Sequence, residues 1–86
     1  MKKVIKFYAD WCGPCKLYAP IFDKVSEELK DEAEFVNVNI EKDTTGLAAQ
    51  YKVQAIPTTV VIADGIEQTK TGRLDEADLK NFILNE

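Results

Sequence analysis

Trp11-Cys12-Gly13-Pro14-Cys15-Lys16 is the stretch on which the fold turns. A short, β-prone apolar run, Val4 to Ala9, leads into it, and a series of apolar residues at helical spacing leads out of it. Both cysteines of the 86-residue chain lie here, three positions apart. A strand passing through a cysteine turn into a helix is the opening unit of an α/β sheet. Open α/β sheets place their sites at the carboxyl ends of their strands.

The spacing carries chemistry. In the first turn of a helix, residues i and i+3 share a face, with Cβ atoms about 5–6 Å apart. A disulfide needs Cα atoms about 4.4–6.8 Å apart. Cys12 and Cys15 can therefore join and separate with little backbone movement. Unpaired N–H groups and a partial positive charge at the helix N-terminus favour thiolate, the reactive form of cysteine. Pro14 suits a first turn, where its missing N–H has no intrahelical partner to lose. Gly13 leaves the approach to sulfur open. A purely stabilising bridge fits less well: a ring this small contributes about 2 kcal/mol, against about 4.7 for a 100-residue loop. Zinc also fits less well, since such sites use four ligands, mostly Cys and His. Two Cys and no His leave half the ligands to be found elsewhere. Redox chemistry is the function this pair points to.

The bulk properties narrow the setting. The length predicts one domain, residues 1–86, and a hydrophobic content of 45% predicts an ordinary core. A net charge of −4 argues against nucleic acid as a partner, which needs a basic stripe. No apolar run reaches transmembrane length, so no membrane association is expected. Met1 to Lys6 begins basic, but Lys6 interrupts the apolar segment, so it does not read as a signal peptide. The expected location is the cytoplasm, where a C-x-x-C is more often catalytic than structural.

Along the chain, Val4–Ala9 reads as a central strand. From Cys15 to about Lys30, Leu17, Tyr18, Ile21, Phe22, Val25 and Leu29 recur as one buried helical stripe. Pro20 lies inside that helix and removes a bond to the carbonyl of Lys16. Phe35–Ile40 alternates as a half-exposed strand, parallel to the first across the intervening helix. Asp43 or Thr44 is placed to cap a short helix from Leu47 to about Lys52, with Leu47, Ala48 and Tyr51 inward. Thr59–Ala63 reads as a buried strand, and Asp64-Gly65 as a type I′ turn into an antiparallel strand, Ile66–Thr71. After Gly72, Asp75 reads as an N-cap, Leu74 and Leu79 as a hydrophobic staple, and Leu79, Phe82 and Ile83 as the buried face of a last helix. The predicted fold class is α/β: a four-stranded mixed sheet in the order βαβα then ββα, with helices on both faces. Trp11, the one tryptophan, suits either a partly buried loop or an apolar wall beside the sulfurs.

In these motifs the chain resembles the thioredoxin family from about Val4 to its C-terminus. Trp-Cys-Gly-Pro-Cys-Lys stands intact at 11–16, Pro20 matches the helix-kinking proline, and Ile56-Pro57-Thr58 matches the cis-proline segment. Asp64-Gly65 and Gly72 fall where that family has its hairpin turn and late glycine. The resemblance implies a protein-disulfide reductase with Cys12 as nucleophile and Cys15 as resolving cysteine. It implies a cis Pro57 against the cysteines, although Pro57 by itself suits an ordinary trans proline opening a strand. Trp11, Gly13, Pro14, Ile56, Pro57 and Gly72 become the apolar rim, and the backbone of Ile56 pairs with an extended substrate segment. No bound cofactor is implied beyond the Cys12–Cys15 disulfide. The implied partners are disulfide-containing proteins and a thioredoxin reductase of flavin or iron–sulfur type, with the chain expected to be a monomer.

The chain departs from that family in three places. Thioredoxins usually have one more strand and helix before the strand leading to the cysteines, which leaves Phe35–Ile40 at a sheet edge here. They usually carry a buried aspartate six residues before the first cysteine and a lysine near it, where this chain has Lys6 and Asn37. A buried, neutral Lys6 can accept the proton of Cys15. Alternatively, Lys6 lays its stem on apolar surface and keeps its charge in water. Tyr8 and Ala55 stand where Trp and Gly are frequent. Two other functions use similar architecture. A glutaredoxin-like, glutathione-coupled enzyme matches the chain's size, but Gly13-Pro14 and Gly72-Arg73 depart from its usual Pro-Tyr and Gly-Gly. A binding subunit without turnover uses the same apolar rim.

Overall fold

In the structure, a computed structural model describing residues 1–84, the first strand is sandwiched on every side. β1 (Lys2–Tyr8) pairs in parallel with β2 (Ala33–Asn39) and antiparallel with β3 (Thr58–Ala63). β3 pairs antiparallel with β4 (Ile66–Thr71), so the sheet order is β2-β1-β3-β4. The helices are α1 (Gly13–Glu28), α2 (Leu47–Gln50) and α3 (Glu76–Leu84). This is the mixed four-stranded sheet expected from the sequence, and β2, with its polar Asn37, lies at its edge.

Alternation along β1 divides the core. Val4 faces α1 and α3, where it meets Tyr18, Phe22, Val25, Leu79 and Ile83. Ile5 and Phe7 face the other way and pack with Val38 and Val60, against Leu47, Ala48 and Tyr51 of the α2 segment. Helices thus cover both faces. The same alternation puts Lys6 and Tyr8 on Val4's face, toward α1, although Lys6 is charged at neutral pH in an unfolded chain.

The buried stripe of α1 is narrower than the sequence suggested. Cys15, Tyr18, Phe22, Val25 and Leu29 are buried, but Leu17 is 62% exposed. The buried positions follow a 3-4-3-4 spacing that keeps them on one line, and Leu17 falls off that line onto the solvent side. The helix begins two residues before Cys15 because Cys12 caps it, and it ends at Glu28. Pro20 lies within it.

The cap of α2 also differs in detail. Gly46 occupies the N-cap position in the left-handed region (φ 77°), with no side chain to offer. Asp43 instead reaches across the turn and accepts from the Ala48 N–H at 3.0 Å, while the Thr45 hydroxyl accepts from the Leu47 N–H at 3.1 Å. Asp43 therefore acts from farther back than an adjacent cap. A left-handed Lys52 (φ 55°) follows the end of α2. Asp64 (φ 54°) and Gly65 (φ 79°) are both left-handed, as a type I′ hairpin requires. Asp75 accepts from the Asp78 N–H at 2.8 Å and caps α3, which buries Leu79, Phe82 and Ile83. Leu74 packs on that cluster.

One polar pair is sealed in the core. The Tyr18 hydroxyl lies 2.7 Å from the Thr59 hydroxyl, and both residues are fully buried. Burial pushes the Tyr18 phenol up to about 12, with the bond to Thr59 opposing it. Tyr18→Phe removes one partner and leaves the Thr59 hydroxyl unsatisfied. The expected cost is about 1–2 kcal/mol, read as a lower urea midpoint with an unchanged m-value.

Candidate active site

Cys12 ends the loop after β1 and begins α1. Its backbone is extended (φ −85°, ψ 112°), the geometry of an N-cap residue, and its carbonyl accepts the N–H of Lys16 at 3.2 Å. Its sulfur takes the part a Ser or Asp oxygen plays at other helix starts, accepting the Cys15 N–H at 3.2 Å. The reactive atom is therefore itself the helix cap, held where the N-terminal N–H groups favour negative charge. Cys12 and Cys15 are joined by a disulfide with their Cα atoms 5.2 Å apart. Pro14 occupies the first turn, and a side chain at Gly13 would meet nothing within 4 Å.

The two cysteines are only 5% and 3% exposed, and they pack with Ala9, Tyr8, Ile40 and Ile56. Two of these neighbours, Ile40 and Ala9, were not singled out in the sequence. Ile40 comes from the far end of β2, where its N–H donates to the Tyr8 carbonyl at 2.9 Å. Its only sequence signal is the parallel register that ends β2 beside β1.

Ile56, followed in sequence by Pro57, packs against the two cysteines. The Ile56–Pro57 peptide bond is cis, and the Ile56 carbonyl oxygen lies 3.9 Å from Cys12 Sγ. Pro57 is itself buried, and its carbonyl accepts the N–H of Gly72 at 2.8 Å. Gly72 has φ 99°, a conformation that favours glycine, and thereby joins the end of β4 to the proline segment. Trp11 is 64% exposed, and its indole N–H donates to the Glu41 carboxylate at 2.6 Å. Asn39 accepts the Glu41 N–H at 3.0 Å and turns the chain after β2 so that Glu41 meets the indole. Glu41 is a third residue that sequence reasoning missed, because nothing local marks a carboxylate 30 positions away as a partner of Trp11.

Lys6 lies beneath the helix. It is 4% exposed, so its stem does not carry the charge out to water along the surface. Its Nζ sits 4.9 Å from the centre of the Phe22 ring and 5.2 Å from that of Tyr8. Burial lowers its pKa below the ordinary lysine value, and the negative charge of Asp23 partly opposes this. A cavity of about 430 Å³ opens beside it, lined by Lys6, Cys15, Ala19, Asp23 and Asn37 among others. The amine and the second cysteine thus face the same space. Among the described residues, no group of His, Cys, Asp or Glu is placed to hold a metal ion, and no helix is long and apolar enough to cross a membrane.

The chain is similar to known proteins in sequence and in fold. The thioredoxin family model matches residues 1–85. The chain is 45% identical over 67 residues to thioredoxin of Mycoplasma genitalium, covering 78% of this chain and 64% of that one. It is 37% identical over 81 residues to thioredoxin of Haemophilus influenzae, covering 93% and 75% respectively. The X-ray structure of Fasciola hepatica thioredoxin superposes with a TM-score of 0.86 at 36% identity, over 98% of this chain and 79% of that one. Sequence, fold and the placing of the two sulfurs agree, and the chain belongs to the thioredoxin family of thiol–disulfide oxidoreductases.

Proposed function

We propose that residues 1–86 act as one monomeric protein-disulfide reductase domain, using Cys12 and Cys15 as its two-electron carrier. The observation that carries this is Cys12 Sγ at the helix N-cap, accepting the Cys15 N–H at 3.2 Å. In the reduced protein, Cys12 thiolate attacks one sulfur of a substrate disulfide. That S–S bond breaks, the first substrate thiolate leaves and takes a proton, and a Cys12–substrate mixed disulfide remains. Cys15 then gives up its thiol proton and attacks Cys12 Sγ. The second substrate thiol departs, and the Cys12–Cys15 disulfide holds the oxidising equivalents.

Lys6 as a neutral amine is the proposed acceptor of the Cys15 proton. Its burial and its shared cavity with Cys15 support that role. Trp11, Gly13, Pro14, Ile56, Pro57 and Gly72 form the proposed docking surface, with Ile56 offering its backbone to an extended substrate segment. The position of its carbonyl, 3.9 Å from Cys12 Sγ, supports that placement. A thioredoxin reductase returns the dithiol to its reduced form, and the cytoplasm is the proposed setting for that cycle.

Three electron donors separate the alternatives when disulfide-bonded insulin is the substrate. Turnover is expected with a flavin-type reductase and NADPH, or with an iron–sulfur reductase and reduced ferredoxin, and the productive arm identifies the donor class. Turnover with glutathione and glutathione reductase alone would move the chain to the glutaredoxin-like function. No turnover in any arm, with insulin still bound by the chain, would make it a binding subunit. The reduction potential of the pair is expected near that of thioredoxin, about −270 mV.

A further inference from the structure

Cys15, Ala19 and Asp23 follow one another at intervals of four along α1, so they lie on one face of the helix. That face forms a wall of the cavity of about 430 Å³, and Lys6 of β1 lines it from below. Ala19, between the cysteine and the carboxylate in this row, also lines the cavity. Cys15 is buried at one end of the row, whereas Asp23 is exposed at the other. Lys6 is therefore shared between a buried thiol that must lose a proton and an anion in contact with solvent.

We propose that Asp23 is a positioning residue for the resolving step: its carboxylate, across the shared cavity, sets the pH at which the Lys6 amine is free to take the Cys15 proton. This rests on the proton-accepting role of Lys6 proposed above. The transfer balances simply. Cys15–SH and Lys6–NH2 become Cys15–S⁻ and Lys6–NH3⁺, and the ammonium later returns its proton to solvent through the cavity. The Asp23 carboxylate takes no part in the transfer itself. It stabilises the ammonium, which makes Lys6 a stronger base and delays its deprotonation to higher pH.

The other groups facing Lys6 do not supply that negative charge as readily. Tyr8 from its own strand and Phe22 from α1 present rings, and Asn37, its β2 neighbour in register, is neutral. Thr59, its β3 neighbour in register, is also neutral and bonds to Tyr18. Of the remaining charged residues lining the cavity, Lys16 is cationic and Asp10 lies within reach of Lys42 at 3.8 Å. Asp23 is the carboxylate whose charge acts on Lys6.

The test follows both sulfurs separately. Reduced protein mixed with dithiobis(nitrobenzoic acid) releases one coloured thiolate when Cys12 attacks and a second when Cys15 resolves the adduct. Stopped-flow measurement across pH 5–10 gives the resolving rate as the phase whose rate does not depend on reagent concentration. For Asp23→Asn, the midpoint of that profile is expected to move to lower pH, with Asp23→Glu restoring it. In a Lys6→Met background, Asp23→Asn is expected to cause no shift. An unmoved midpoint in Asp23→Asn would overturn the proposal. An equal shift with and without Lys6 would also overturn it, because Asp23 would then act on Cys15 directly. If Lys6→Met alone leaves the profile unchanged, the proton-accepting role of Lys6 fails first and the role of Asp23 falls with it. Urea unfolding of each variant separates these outcomes from loss of structure.

Discussion

The Cys12→Ser variant is expected to lose protein-disulfide reduction by at least about a thousandfold, whereas Cys15→Ser is expected to stop halfway. The two cysteine residues are nearly equally buried, so residue exposure does not separate their roles. The helix does. Cys12 Sγ receives the Cys15 N–H and stands at the positive end of α1, where a thiolate is stabilised. A serine hydroxyl in its place keeps the hydrogen bond but has too high a pKa to form the anion. Cys15 lies one turn inside, and in the proposed cycle it acts only after Cys12 has reacted. Cys15→Ser should therefore attack substrate normally and accumulate the mixed disulfide. Intact-mass measurement without reductant, followed by peptide mapping, should find substrate on Cys12. An adduct on Cys15 in the Cys12→Ser protein, with reductase activity retained, would reverse the assignment. Both variants should fold, since the closed ring contributes only about 2 kcal/mol to the oxidised form.

Lys6→Met is expected to change two properties in opposite directions. Stability should rise by about 1–2 kcal/mol at pH 7, because an apolar side chain of similar length removes the cost of a buried amine. The pH dependence follows from the direction of the Lys6 shift. Burial lowers the folded-state value below 10.5, so between that lowered value and 10.5 the unfolded chain binds more protons than the folded one. Wild-type stability therefore gains from this site as pH rises through that window. The advantage of the methionine variant should be full below the window and shrink across it. Urea titrations at several pH values measure this directly, and a constant difference would show that Lys6 is not desolvated in solution. The resolving rate at pH 7 should fall by about a hundredfold, the usual scale for removing a general base. A more stable variant that resolves as fast as wild type would show that Lys6 is buried without a role in proton transfer.

Features set by neighbours along the chain were legible in the sequence. The closeness of Cys12 and Cys15 needs only one helical turn, the Asp64-Gly65 hairpin needs only two left-handed residues, and the Asp75 cap needs only an N–H three positions on. The alternation of β1 and the stripe of α1 placed most of the core, because burial there follows the period of each element. Leu17 was misplaced because the width of the stripe depends on how much of α1 the sheet and α3 cover, which no local pattern contains.

The surroundings of the sulfurs belong to tertiary structure. Ile40 and Ile56 arrive from separate segments, Glu41 bonds to Trp11 across 30 positions, and Asp23 reaches the surroundings of Lys6 only because α1 lies along that face of β1. Sequence placed Lys6 at a position requiring explanation but left two fates open, a surface charge or a buried base. The packing of Tyr8, Phe22 and the first helix over β1 decided that the side chain is buried, because whether an amine meets water depends on what covers it and not on its neighbours in the chain.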